Sequence, residues 1–342
     1  MGHMLEIVNG EASYAGRQPA WHKLGTVMDD LTFDDAMDKA NLSGWNVRAE
    51  PLVVSVDGED YPLDGQTIVR NNPATGKVEP MGTVGGRYTT VQNEQALGVA
   101  SFLEDLGATV ETAGSLRLGR QVFMSMSLGK GFVIDPDGAG DRVQEYLLLT
   151  TSHDGSLAIE ASATPVRVVC ANTLDMALPQ AVRSYKIRHT ATAAERLAIA
   201  QGALATANGY FDTLADEAAA LYQTDVTKGE FFDIVSSVYP KPGSPESGVK
   251  ESKRGLTVWE KKVDSVTSLF GGQTNANIAG TAWAAMNAMT ERLDWHRTAR
   301  GGDGSSLAIA ASGINSPVAG EKNLIRDTVV SFAREKNPSV FA

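Results

Sequence analysis

The hydrophobic period changes near residue 190, and that change limits the architectures open to the chain more than any other feature. Before it, Trp45-Asn-Val-Arg-Ala-Glu-Pro-Leu-Val-Val-Ser-Val56 alternates and is β-branched, and Gln121-Val-Phe-Met-Ser-Met-Ser-Leu128 and Glu145-Tyr-Leu-Leu-Leu-Thr-Thr-Ser152 are strand-like. A period of two puts successive side chains on opposite faces of a strand. After it, Thr192–Tyr222 is alanine-rich with apolar residues three and four apart, the spacing of one helix face. A chain whose strand-like stretches lie before such a change, with only short helical ones among them, and whose long helices follow it belongs to the α+β class.

The finer reading follows from turn and cap chemistry. Leu31–Asn41 predicts a short helix capped by Thr32, with Asp34 and Asp35 in its positive first turn. Asp57-Gly58 and Asn72–Gly76 are turns between strands, and Thr83–Val91 closes a first meander. Asn93–Leu106 returns to helical spacing, with Ala96, Leu97, Ala100, Phe102 and Leu103 inward and Gly107 ending it. A second strand set runs from Val110 to Cys170. Beyond it, helices are expected at 192–222, 228–238, 250–269, 281–297 and 322–335. The expected architecture is an antiparallel β-meander with packed helices (a β-β-β-α-like core) over residues 1–185. A mainly helical domain over 186–342 follows it, with flexible loops near 239–250 and 298–306.

Charge is uneven. Residues 1–180 carry 12 Lys+Arg against 24 Asp+Glu, and residues 181–342 carry 18 against 17. An acidic first half argues against a general nucleic-acid sponge but leaves room for a local basic groove. The single cysteine, Cys170, excludes an intramolecular disulfide and a cysteine-rich zinc module. Met1–Val8 lacks the basic and apolar regions of a secretory signal, and no apolar run approaches a membrane span, so a cytoplasmic protein is expected.

No nucleotide-binding or metal-ligand string is present. Gly82-Thr-Val-Gly-Gly-Arg-Tyr88 does not match a P-loop, and reads as glycines at a hairpin or bulge. No cofactor and no metal are expected. His153-Asp154 could move a proton, but Asp154-Gly155 also reads as a turn. The stronger candidate is a basic run with an aromatic inside it: Arg167, Asn172, Arg183, Tyr185, Lys186 and Arg188, suited to phosphates and one stacked base. A second cluster, with Lys253 and Arg254 beside Trp259, falls on a helix where Glu251 and Glu260 dilute it.

Two stretches carry a family resemblance. Tyr14-Ala-Gly-Arg-Gln-Pro-Ala-Trp-His-Lys-Leu-Gly25 is similar to the G-x-x-P-W-H-x-L-G opening of the phage/plasmid-like protein family (domain of unknown function 932), with Ala20 inserted before Trp21 and His22. Thr151-Ser-His-Asp-Gly-Ser156, with Thr164-Pro-Val-Arg-Val-Val-Cys-Ala-Asn-Thr-Leu174, is the more specific pairing, and Gly280–Glu291 resembles the family's late helix. The resemblance implies a phage, prophage or plasmid protein whose activity is largely unassigned. At the level of fold the first domain resembles phage single-strand annealing proteins, an analogy that does not carry function with it.

The expected function is therefore ATP-independent binding and annealing of single-stranded DNA in a phage recombination module, by a homo-oligomer without a membrane partner. Two alternatives stay open. One is a host-interaction (anti-defence) protein using the acidic half, and the other is an enzyme using His22 and His153.

Overall fold

The computed structural model describes residues 4–8, 11–20, 23–157, 159–165, 184–186, 193–295 and 317–341. Its strands are β1 (Ile7–Val8), β2 (Glu11–Ala12), β3 (Tyr14–Gly16), β4 (Thr26–Val27), β5 (Arg48–Val56), β6 (Glu59–Asn71), β7 (Val78–Val84), β8 (Thr109–Leu116), β9 (Gln121–Ile134), β10 (Asp141–Ser152), β11 (Glu160–Thr164) and β12 (Ser184–Lys186). Its helices are α1 (Phe33–Lys39), α2 (Asn93–Leu97), α3 (Val99–Asp105), α4 (Ala193–Tyr222), α5 (Lys228–Val238), α6 (Lys253–Phe270), α7 (Ala282–Trp295) and α8 (Pro317–Lys336). The α+β class holds, with strands concentrated before residue 190 and helices after it.

The residues fall into two compact units. Of the described residues, the first holds those within 1–131 and 144–211, and the second those within 132–143, 212–295 and 317–341. The end of the β9–β10 hairpin thus groups with the helices rather than with the strands it extends.

Among the described residues of the first unit, one sheet runs β12–β11–β10–β9–β8–β3–β4, antiparallel at β8–β9, β10–β11 and β3–β8 and parallel at β3–β4. Helix α1 packs against β3 and β8, and α3 against β8. The Thr32 hydroxyl caps α1 by accepting from Asp35 N at 3.1 Å, and the Asp35 carboxylate answers the Thr32 backbone, a capping box. Where one helix is expected over 93–106, two short ones meet at Gly98, a residue that weakens any helix interior.

The second sheet is the antiparallel meander β5–β6–β7. Asp57 and Gly58 both have positive φ, at +52° and +88°, the two-residue turn that matches strand twist. Strand β7 stops at Val84, short of the expected Val91, because Gly85 and Gly86 follow it. Gly82 lies at a register shift between β6 and β7, and a Cβ there would stand 2.7 Å from the Asp154 Cβ. The glycine-rich string is a bulge and a close approach, as its spacing suggested.

The second unit buries Leu221, Phe231, Ile234, Val263, Val266, Phe270, Met289, Ile325 and Val329 in one cluster that also takes in Ile134 from the hairpin end. Phe231 and Phe270 stack with ring centroids 4.1 Å apart, which joins α5 to α6. Tyr222 Oη donates to Asp135 Oδ2 and Trp283 Nε1 to Asp141 Oδ2, each at 2.8 Å, so the hairpin end is tied in by polar contacts as well. No described helix is long and apolar enough to cross a membrane.

Candidate nucleic-acid interface

The α6 helix begins at Ser252, whose hydroxyl accepts from Gly255 N at 3.0 Å. Its inner stripe, Val263, Val266 and Phe270, is buried, and that fixes which residues face water. Arg254, Val258 and Lys261, spaced by four and three, are exposed. Lys253 and Arg254 occupy the first turn, where the helix dipole is positive and acids would be favoured, and no acid is there. Two cations at that end raise the local positive potential at some cost to the helix, an arrangement suited to an anion.

Trp259 lies half-buried beside them. Its indole N–H donates to Tyr239 O at 2.7 Å, which satisfies the polar edge and orients the ring. Phe232, 47% exposed, meets it edge-on at 6.4 Å, and Lys241 Nζ stands 5.8 Å from the indole centroid. Lys262 Nζ is 4.1 Å from the Tyr239 ring and 3.9 Å from Glu321 Oε1. The patch thus combines aromatic surface with the exposed cations Lys241, Lys250, Lys253, Arg254 and Lys261, with Glu251 and Glu260 interspersed. Lys253, Arg254 and Trp259 were legible in the sequence. Phe232 and Lys241 were not singled out, because α5 and the Pro-Gly-rich loop meet α6 only through tertiary packing. The available signal was the Phe231-Phe232 doublet, of which helical phase can bury only one ring.

The other candidates sit differently. Arg167, Asn172, Arg183 and Arg188 lie outside the described residues, as do Trp21 and His22. Tyr185 and Lys186 are on the edge strand β12, opposite Ala161 and Glu160. A cavity of about 370 Å³ in the first unit is lined by Arg17, Asp29, Glu111, Ser127 and Tyr146 among others. Glu111 reaches it from a register shift in β8, and Arg17 is held by bonds to Asp29 O and Thr109 Oγ1.

His153 is buried, with 1% exposure, in a polar cluster of the first unit. Its Nε2 is 2.9 Å from Asn93 Oδ1, its ring is 5.6 Å from Trp45, and Arg70 lies 4.0 Å over that indole. Arg70 in turn pairs with Glu6 and, at 2.9 Å, with Glu79. Burial would lower the Arg70 pKa, but the hydrogen bonds and charges of Glu6 and then Glu79 outweigh it and hold the guanidinium above its ordinary value. Gly155 takes φ +76°, so the Asp-Gly turn is real, yet the histidine beside it faces the core. A histidine so enclosed serves packing better than proton transfer to a substrate.

Burial, with help from the Arg70 charge and against Asp154, lowers the His153 pKa from 6.5 to about 4. The unfolded chain takes up a proton below pH 6.5 that the native state refuses until about pH 4. Stability is full above that window and falls as pH drops through it, by about 3 kcal/mol in all. Denaturation midpoints between pH 7 and 4 are expected to show this slope, and His153→Gln to remove its share. An unchanged slope in the variant would contradict the assignment.

A family model described as Domain of unknown function (DUF932) matches residues 80–312. The chain belongs to this family. The DUF932 span contains His153, the 167–188 basic run, Phe232, Lys241 and most of the helical unit, whereas the Tyr14–Gly25 opening precedes it. No curated protein and no solved structure matches the chain.

Proposed function

We propose that this DUF932 protein binds single-stranded DNA and promotes its annealing without a nucleotide cofactor. The observation that carries the reading is the Trp259–Phe232 aromatic pair set among Lys241, Lys253, Arg254 and Lys261. Cations neutralise backbone phosphates without regard to sequence, and exposed rings stack on bases only where the bases are unpaired. A patch with both therefore favours a single strand over a duplex. The basic run from Arg167 to Arg188, with Asn172, Arg183, Tyr185 and Lys186, repeats this combination of residue types in the sequence. The family resemblance implies a phage, prophage or plasmid setting, in which a recombination module would use this activity.

Fluorescence anisotropy of a labelled oligonucleotide tests this at low and moderate salt, with duplex as control. Phe232→Ala, at an exposed ring, is expected to weaken single-strand binding about 5- to 100-fold, the range for losing one base stack. Lys253→Ala with Arg254→Ala is expected to reduce the salt dependence by one to two phosphate contacts. Wild-type protein that fails to bind at low salt, or variants that bind as well as wild type, would overturn the reading.

A further inference from the structure

We propose that the β5–β6 hairpin is a docking arm that seats on the α6 patch of a second copy of this chain. From Pro51 to Asp64 every residue except Leu52 is exposed, so this part of the hairpin extends from the meander with neither face covered. Strand β7 pairs with β6 only from Gln66 onward, which leaves the arm two-stranded. A lone two-stranded hairpin is marginal in water and gains stability when a face is covered.

The arm is not polar as an uncovered hairpin would be expected to be. Val54 and Tyr61 are paired across the strands, so they share a face, and period two adds Val56 and Leu63 to it. These four are 40%, 49%, 50% and 51% exposed for Val54, Tyr61, Val56 and Leu63 respectively. Val53, 45% exposed, is paired with Pro62 on the reverse face. Pro51 and Pro62 interrupt the N–H rows of both strands, which discourages strand addition at the edges and leaves the apolar face as the contact.

Charge selects the occupant. Between Pro51 and Asp64 the arm carries Asp57, Glu59, Asp60 and Asp64 and no lysine or arginine. Two arms face to face would set like charges together, so a symmetric arm–arm contact is disfavoured. The α6 patch offers a net-positive complement: Lys241, Lys250, Lys253, Arg254 and Lys261 outnumber Glu251 and Glu260 around exposed Val249, Val258 and Phe232, at 61%, 57% and 47%. Arm to patch is a head-to-tail contact, which propagates into rings or filaments. With so few apolar side chains it falls at the small end of specific interfaces, so assembly is expected to depend on concentration in about the micromolar range.

The patch is the one proposed above for a single strand, and only the competition between strand and arm rests on that reading. The acidic arm and the DNA backbone are both anions, so an excess of oligonucleotide disperses the assembly. The contact itself is tested without DNA, by sedimentation velocity across a concentration series. Wild-type protein is expected to form species larger than one chain. Reversing the arm (Glu59→Lys with Asp60→Lys) or the patch (Lys253→Glu with Arg254→Glu) is expected to leave each variant monomeric, and an equimolar mixture of the two to assemble again. Val54→Ser with Tyr61→Ser, which keeps the charges, is expected to abolish assembly. The arm lies outside both cores, so far-ultraviolet circular dichroism of these variants should match wild type. At dilution the arm-reversed variant should still bind a single strand, which separates failure of this contact from failure of the strand-binding reading. A monomeric wild type at every concentration, variants that assemble alone, or a mixture that stays monomeric would each overturn the proposal.

Discussion

Replacing Arg70 with alanine is expected to destabilise the protein by about 3–5 kcal/mol, a large share of the 5–15 kcal/mol available to an ordinary domain. Arg70 is 1% exposed, and the Glu6 carboxylate it pairs with is 4% exposed. Taking two such charges out of water costs several kcal/mol per ion, offset only while they face each other with their hydrogen bonds made. Ser115 Oγ donates to Glu6 Oε2 at 2.8 Å, and Asn72 and Arg70 both donate to Glu79, which holds the Glu79 pKa below its ordinary value against the effect of burial. Removing the guanidinium leaves the enclosed Glu6 carboxyl without its counter-charge and with the Ser115 hydroxyl as its side-chain partner. It also removes the plate that lies over Trp45. Urea unfolding measures the loss. Combining Arg70→Ala with Glu6→Gln should recover part of it, because the stranded charge is gone. A loss under 1 kcal/mol for the single variant, or no recovery in the double, would show that the pair is not the stabilising unit.

Gly25→Ala is expected to cost about 2–4 kcal/mol, the sum of left-handed strain and a collision with backbone. Gly25 has φ +81°, and a Cβ there would fall 2.3 Å from the Tyr14 carbonyl oxygen and 2.7 Å from Tyr14 Cδ1. The reason is topological. Strand β4 runs parallel to β3, with Thr26 opposite Ala15, so the chain must turn back and pass against Tyr14 just before pairing. Gly76→Ala is the control, since Gly76 has φ +67° with nothing within 4 Å of its Cβ position and should lose only the strain, about 1 kcal/mol. Denaturation of both variants, with amide hydrogen exchange at β3 and β4, separates the terms. Equal costs at the two glycines would remove the close approach as the cause. The glycine that ends the Tyr14–Gly25 motif is thereby explained by backbone geometry alone.

What the sequence by itself determined is what neighbouring residues encode. The period change near 190, the Thr32 N-cap, the Asp57-Gly58 turn and the α5 boundaries at Lys228–Val238 were all legible, because cap, turn and face each depend on residues a few positions apart. Lys253, Arg254 and Trp259 were legible for the same reason, as consecutive turns of one helix.

Tertiary structure decided the rest. The Glu6–Arg70 pair joins residues 64 positions apart and the Tyr222–Asp135 bond residues 87 apart, and no local pattern announces either partner. His153 reads from its neighbours only as the residue beside the Asp154-Gly155 turn. Packing against Trp45 and Asn93 buries it and lowers its pKa. The alternation Leu52-Val-Val-Ser-Val56 predicts a strand equally well whether a face is covered or bare, and only the end of β7 pairing at Gln66 left the arm exposed. Hydrophobic period reports which side chains share a face. What that face meets is set by chain that arrives from elsewhere, and such contacts exist only once the fold has formed.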